Sequence, residues 1–350
     1  MVRRVVFAVP GSLDQPTGGY VYDKRIVAEL RTLGWDVGIL DLGGSFPRPD
    51  AKERQAANDM LARTDAQIPL VIDGLAYGVL PEAGAALGKS HKLIALVHHP
   101  LAFESGLPEA DAKAFLASER DALGHVRHVI VTSPATARLL VSDFGITMER
   151  ITVAKPGNDP MPPSRGSGED RVHLLAVGSI VPRKGYDLLV AALAELKDLP
   201  WRLSVVGDPT RDEECTRALD RDIDRFGLRD RVERLGAVSH EALAELYDSA
   251  DLFVLPSRFE GYGMAFADAI AFGVPVIAAR TGAIPETVPA QASILVPPDD
   301  VPALASVLRH LLENQAAREA LRAQARASAR ALPTWRESAE IIARAIGMAA

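Results

Sequence analysis

Short runs of apolar residues recur along the chain, and between them the apolar positions repeat every three or four residues. The first rhythm belongs to strands buried on both faces and the second to helices that cover them. The alternation therefore predicts an α/β fold with parallel sheets. In the first half, strands are expected at residues 5–9, 37–40, 70–72, 93–97, 129–131 and 151–153, with helices over stretches such as 19–33 and 108–123.

Residues 155–170 break the rhythm. They read Lys-Pro-Gly-Asn-Asp-Pro-Met-Pro-Pro-Ser-Arg-Gly-Ser-Gly-Glu-Asp, with hardly an apolar side chain. This is a linker composition, so a first domain over 1–157, a linker over 158–170 and a second domain over 171–331 are expected. The alternation restarts with strands at 173–177, 203–206, 232–235, 252–255, 274–278 and 293–296, and helices at 186–196, 213–226 and 240–249. The stretch 301–346 is helical by period, with a break at Leu332-Pro333. Two tandem Rossmann-like, doubly wound units predict a cleft between them, with ligands at the carboxyl ends of the strands.

Composition adds exclusions. The 350 residues are 48% hydrophobic and 24% charged, an ordinary globular balance with length for two cores. A net charge of -7 argues against a nucleic-acid partner. Cys215 is the single cysteine, so no intrachain disulfide forms, and no neighbouring His activates it. After Met1-Val2-Arg3-Arg4, the apolar run at 5–9 stops at Pro10-Gly11, too short for an export segment. No apolar stretch approaches the roughly 20 residues that span a bilayer. A cytoplasmic protein is expected, with peripheral membrane contact left open.

The densest candidate chemistry is Pro256-Ser257-Arg258-Phe259-Glu260-Gly261-Tyr262-Gly263-Met264-Ala265-Phe266-Ala267-Asp268. A strand runs into a glycine-containing turn and a helix begins near Met264. The unpaired N–H groups of such a helix start suit a phosphate or the polar edge of a sugar. Gly261 and Gly263 let a ligand approach the backbone. Glu260 lies in the turn and Asp268 about one helical turn further on, so the two can touch different parts of one extended ligand. The plainer reading makes Glu260 a helix cap and Asp268 a solvated residue.

From Glu260 through Gly273-Val274-Pro275-Val276, the sequence resembles the signature of family-four retaining glycosyltransferases of the GT-B fold. There a Glu, seven residues and a second Glu follow a strand. The resemblance implies that Glu260 contacts the hydroxyls of a donor sugar and that Asp268 contacts the nucleotide ribose. Asp268 departs from the pattern by one methylene.

Val177-Gly178-Ser179-Ile180-Val181-Pro182-Arg183-Lys184-Gly185 places two adjacent cations on a loop at a strand's carboxyl end. Arg offers a planar fork and Lys a point charge, and together they can neutralise a diphosphate; exposed charges on a helix-entry loop are the alternative. The resemblance implies that Arg183 and Lys184 hold the donor's diphosphate.

In the first domain, Pro10–Tyr20 carries Gly18-Gly19 at a helix start and is similar to the family's N-terminal glycine loop. His98-His99 ends the strand at 93–97, and no metal-ligand spacing surrounds the pair. The resemblance implies a His near the donor sugar; His98 is favoured and His99 is the alternative, since neighbouring strand residues point to opposite faces. Thr281-Gly282-Ala283-Ile284-Pro285-Glu286 looks like a family loop on the cleft's edge. The terminal segment 332–350, with Trp335 as a packing anchor, resembles the helix that returns to the first domain. Asp222-Ile223-Asp224 reads as a solvated helix face rather than a metal site.

The expected activity is retaining transfer of a sugar, a hexose, from a nucleotide-diphosphate donor to a hydroxyl acceptor. The acceptor is a glycan, a lipid-linked glycan or a small molecule, and neither metal nor cofactor is expected. The alternatives are a nucleotide-sugar epimerase and a non-catalytic nucleotide-sugar-binding protein. A nicotinamide-dependent dehydrogenase fits less well, because no Gly-x-Gly-x-x-Gly directly follows a strand.

Overall fold

A computed structural model describes residues 3–15 and 17–349. Met1 and Val2 of the N-terminal reading, Pro16 of the glycine loop and Ala350 lie outside the described residues. The chain divides into two compact units: Met1–Gly157 with Pro333–Ala350, and Asn158–Leu332.

The first unit holds six parallel strands: β1 (Arg3–Val9), β2 (Trp35–Asp41), β3 (Leu70–Asp73), β4 (Leu93–Val97), β5 (His128–Val131) and β6 (Ile151–Val153). Their order is β2-β1-β3-β4-β5-β6. β4 is buried at every position, as a central strand covered on both faces must be. β2 is an edge strand, where Trp35 and Val37 are buried and Asp36 and Gly38 exposed. Arg4 of β1 donates to Asp36 beside it at 3.2 Å. Charged ends of this kind are why β1 and β2 run longer than their apolar cores.

Local chemistry sets the helix ends. Ser133 accepts from the Thr136 N–H at the start of Pro134–Phe144, and Gly145 closes that helix with a φ of +72°. The final helix, Trp335–Ala349, belongs to the first unit and buries Ala339, Ile342 and Ile346. Trp335 stands edge-on to Tyr22 at 5.9 Å, and the Arg25 guanidinium lies 5.2 Å from its ring centroid.

The second unit holds β7 (Val172–Val177), β8 (Trp201–Val206), β9 (Val232–Gly236), β10 (Leu252–Leu255), β11 (Val276–Ala279) and β12 (Ser293–Val296), all parallel, in the order β12-β11-β10-β7-β8-β9. The chain builds outward from β7 through β8 to β9, then returns to lay β10 on the other side of β7. That makes β7 and β10 neighbours at a topological switch point of the sheet. The core beneath is aromatic: Tyr247 stacks on Phe272 at 5.2 Å and on Phe253 at 6.1 Å.

Three expectations need correction. β11 begins at Val276 rather than 274, because Pro275 has no N–H for the ladder. The terminal helical stretch is three helices, Val301–Glu313, Gln315–Ala329 and Trp335–Ala349, with a second break at Asn314. Asn314 caps the middle one by accepting from Ala317 N. The segment 158–170 is fastened coil. The Ser164 N–H donates to Phe272 O at 2.7 Å, Gly166 N to Asp248 O at 2.9 Å, and Ser167 Oγ to Asp251 at 2.6 Å. Its Pro, Gly and Ser supply bends and polar anchors.

Candidate functional site

At the carboxyl end of β7, Gly178 packs backbone to backbone on Gly207; a β-carbon on Gly207 would fall 1.9 Å from Gly178 O. The chain then makes a short turn over Pro182–Lys184, closed by Gly185 with a φ of +69°. A β-carbon on Gly185 would fall 2.3 Å from Pro256 O, so only glycine lets this loop lie against the turn after β10. Arg258 latches the two together. Its guanidinium donates to Asp187 at 2.7 and 2.9 Å, to Asp299 at 2.8 Å and to Pro182 O at 2.7 Å, and its N–H to Arg183 O at 2.7 Å.

The latch sets Arg183 and Lys184 on Glu260. Lys184 Nζ donates to Glu260 Oε1 at 2.7 Å, and Arg183 Nη1 donates to Oε2 at 3.2 Å and to Phe259 O at 3.0 Å. Glu260 is 5% exposed. Burial pushes its pKa up, but the charges of Lys184 and then Arg183 outweigh burial and bring it down to about 2. Glu260 is therefore an anion throughout the physiological range. The loop after β11 supports it from below: Ala283 N donates to Glu260 O at 2.9 Å. Gly282 has a φ of +49°, and a β-carbon there would meet Glu260 O at 2.4 Å.

Beyond Gly261 and the buried Tyr262, Gly263 adopts a φ of +93° and opens the helix Met264–Ala271, whose first turn no side chain caps. Its N–H groups and dipole face the end of β10, where an anion would be held. Glu260 is not a cap. Asp268 lies on this helix and accepts from Asn158 Nδ2 at 3.2 Å. Burial raises the Asp268 carboxyl to about 7, Asn158 opposing and the charge of Asp159 adding to the rise.

In the first unit, His98 follows β4 with its ring near the glycine loop; a β-carbon on Gly19 would lie 3.3 Å from His98 Cδ2. Nε2 of His98 lies 3.0 Å from Asp23 Oδ1 and 3.5 Å from Asp73 Oδ2. The other Asp73 oxygen accepts from Leu75 N at 2.6 Å. Burial works against a proton on His98, yet the charge and hydrogen bonding of Asp23 and then Asp73 prevail and raise it above its ordinary value. His99 points elsewhere, with Nε2 3.6 Å from Glu104. Among the described residues, Asp23, Asp73 and His98 are the one trio able to offer metal-ligand atoms within 4.8 Å of one another.

The structure thus gathers Arg183, Lys184, Glu260, Gly261, Tyr262, Gly263, Met264 and Asp268 in the second unit, and Gly18, Gly19 and His98 in the first. Asn158, Asp23 and Asp73 were not read from the sequence. Asp23 did leave a signal, because with Ile26, Val27 and Leu30 it falls on the buried stripe of its helix. Asn158 sits in a segment whose composition suggested only a linker. Two other groups are inert. Asp222 and Asp224 pair with Arg225 and Arg229 on a helix surface. Burial and the charges of Asp212 and Asp187 push the Cys215 thiol up to about 11. No helix among the described residues is long and apolar enough to cross a membrane.

Residues 158–328 match the glycosyl transferases group 1 family. The chain is 29% identical over 286 residues to the MMP alpha-(1->4)-mannosyltransferase of Mycolicibacterium hassiacum, covering 77% of this chain and 67% of that one. Two further relatives, at 34% and 33% identity, are spanned over only 38% and 56% of their own length. Among solved structures, sucrose-phosphate synthase from Thermosynechococcus elongatus shares the fold with a TM-score of 0.82 at 23% identity, covering 99% of both chains. The Anabaena HepE protein, solved with UDP and glucose, does so with a TM-score of 0.80 at 19% identity over 98% of this chain and 99% of that one.

Proposed function

We propose, from the match of residues 158–328 to the glycosyl transferases group 1 family, that the chain is a retaining glycosyltransferase. It moves a sugar from a nucleotide-diphosphate donor to a hydroxyl acceptor without a metal ion. The observation that carries this reading is the convergence of Lys184 and Arg183 on buried Glu260 at the switch point of the second unit.

In this reading the donor's diphosphate takes up the two cations, which stabilise the charge left on the phosphate as the anomeric carbon–oxygen bond breaks. Fixed charge aimed where charge develops is a large part of catalysis. Two side-chain cations supply the neutralisation that a divalent ion gives elsewhere. Glu260 and the backbone from Gly261 to Met264 orient the sugar, and Asp268 engages the ribose diol. Retention follows if the acceptor hydroxyl attacks the face that the leaving phosphate departs, and the phosphate takes its proton. Gly18, Gly19 and His98 of the first unit serve the same reaction, as the family resemblance implies.

The reading is tested by calorimetry with UDP, GDP, ADP and their common sugars, in EDTA and in Mg²⁺. One nucleoside diphosphate should bind equally in both, and more weakly to Lys184→Ala. Absolute need for Mg²⁺ would remove the metal-free mechanism, and failure of every nucleotide to bind would remove the donor site. The anomeric configuration of the product, read by NMR, decides retention.

A further inference from the structure

Asp23 has no exposed surface, and a carboxylate so placed needs a compensating partner. Its partner is His98, whose Nε2 lies 3.0 Å from Asp23 Oδ1. Asp73, 4% exposed at the end of β3, brings a second carboxylate oxygen within 3.5 Å of the same nitrogen. Among the described residues, these are the charged groups that act on the ring, one from the helix Gly18–Thr32 and one from β3. Tyr22 stands edge-on to the ring at 5.1 Å, and Thr132 donates its hydroxyl to the His98 carbonyl at 3.3 Å. A nitrogen that faces two carboxylate oxygens acts as a donor, so Nε2 is committed and Nδ1 is left for other work. The hydrogen of Gly19 in place of a side chain lets the ring sit tight against the glycine loop.

We propose that Asp23 and Asp73 are positioning residues for His98: they lock the ring by its Nε2 edge and hold it as an imidazolium whose Nδ1–H is a fixed cationic donor toward the substrate. This rests on the reading that His98 serves the transfer reaction. The donor suits an electron-rich oxygen, a sugar hydroxyl or a phosphate, and the arrangement excludes His98 as a neutral-pH general base. The cluster keeps its protons through the cycle, since no bond is made or broken on it.

The test follows the side-chain ¹⁵N resonances of His98 in the full chain, assigned by their loss in His98→Gln, as pH is raised. The imidazolium pattern should persist through pH 8. Asp23→Asn, which keeps the shape and an acceptor but drops the charge, should lower the midpoint by the equivalent of about tenfold or more in affinity for the proton. The alkaline limb of kcat should move down with it, with KM for the donor changing less. Asp73→Asn, which retains the cap on Leu75, should act in the same direction and stands in if Asp23→Asn fails to fold. A neutral ring at pH 8, or midpoints unmoved in both variants, overturns the proposal. A charged ring in a protein whose His98→Gln variant transfers sugar at the wild-type rate overturns the donor role and leaves Lys184 and Glu260 untouched.

Discussion

Glu260, Lys184 and Arg183 form a three-charge group in which each side chain keeps the others ordered. The carboxylate is nearly all buried, while both cations keep some contact with solvent. Lys184→Ala should cut turnover by roughly 10²–10³-fold, the usual loss of one donor to a developing charge, with the circular dichroism spectrum unchanged. Glu260→Gln should lower unfolding free energy by ~2 kcal/mol, below the roughly 3–5 kcal/mol of a fully buried broken pair because the cations remain partly hydrated. The sign of its pH dependence is fixed by the depressed pKa. The contribution is present above the unfolded value of about 4.3 and is lost as pH falls toward 2, so wild type and Glu260→Gln should converge in acid denaturation. Asp268 behaves oppositely. Its carboxyl is raised to about 7, so the folded state holds a proton that the unfolded state releases near 4. Stability should fall between those values as pH rises, and urea titrations of Asp268→Asn should lack that slope. Arg183, Lys184, Glu260 and Asp268 were legible in the sequence because each lies in a contiguous motif after a strand. Asn158 and Asp73 were not, since each gains its meaning from a partner 110 and 25 positions away, respectively.

The elements that carry these residues depend on close backbone approach. Gly282 combines a φ of +49° with a β-carbon position 2.4 Å from Glu260 O. Gly282→Ala should therefore destabilise by about 1–3 kcal/mol and weaken nucleotide binding as well, because relief of the clash displaces Glu260. Gly44→Ala meets nothing within 4 Å and should be close to neutral in the same urea and calorimetric assays. Most strands were visible as apolar runs, though β9 carries Glu233 and Arg234, and the ends were not visible. β1 and β2 carry charged residues that pair with each other across the edge, and such pairing is invisible to a count of hydrophobic positions. Polar anchoring hid the character of 158–170 in the same way. Ser164, Arg165 and Ser167 look like linker residues until Phe272, Asp248 and Asp251 are brought beside them.

At the scale of the chain, the alternation of period gave two α/β units and parallel sheets. Strand order lay outside its reach, since nothing in hydrophobic period says that β10 returns to the flank of β7. Trypsin should report on the boundary. If 158–170 were free, Arg165 and Arg171 would be early cuts; fastened as they are, cleavage there should be no faster than at other surface arginines. The units also differ in how they are written along the chain. The second is continuous from Asn158 to Leu332, whereas the first needs the returning helix Trp335–Ala349 to cover Tyr22 and complete its core. On the ribosome, the unit that begins first is thus finished last. Its nascent form lacks one helix until the whole of the second unit has been made.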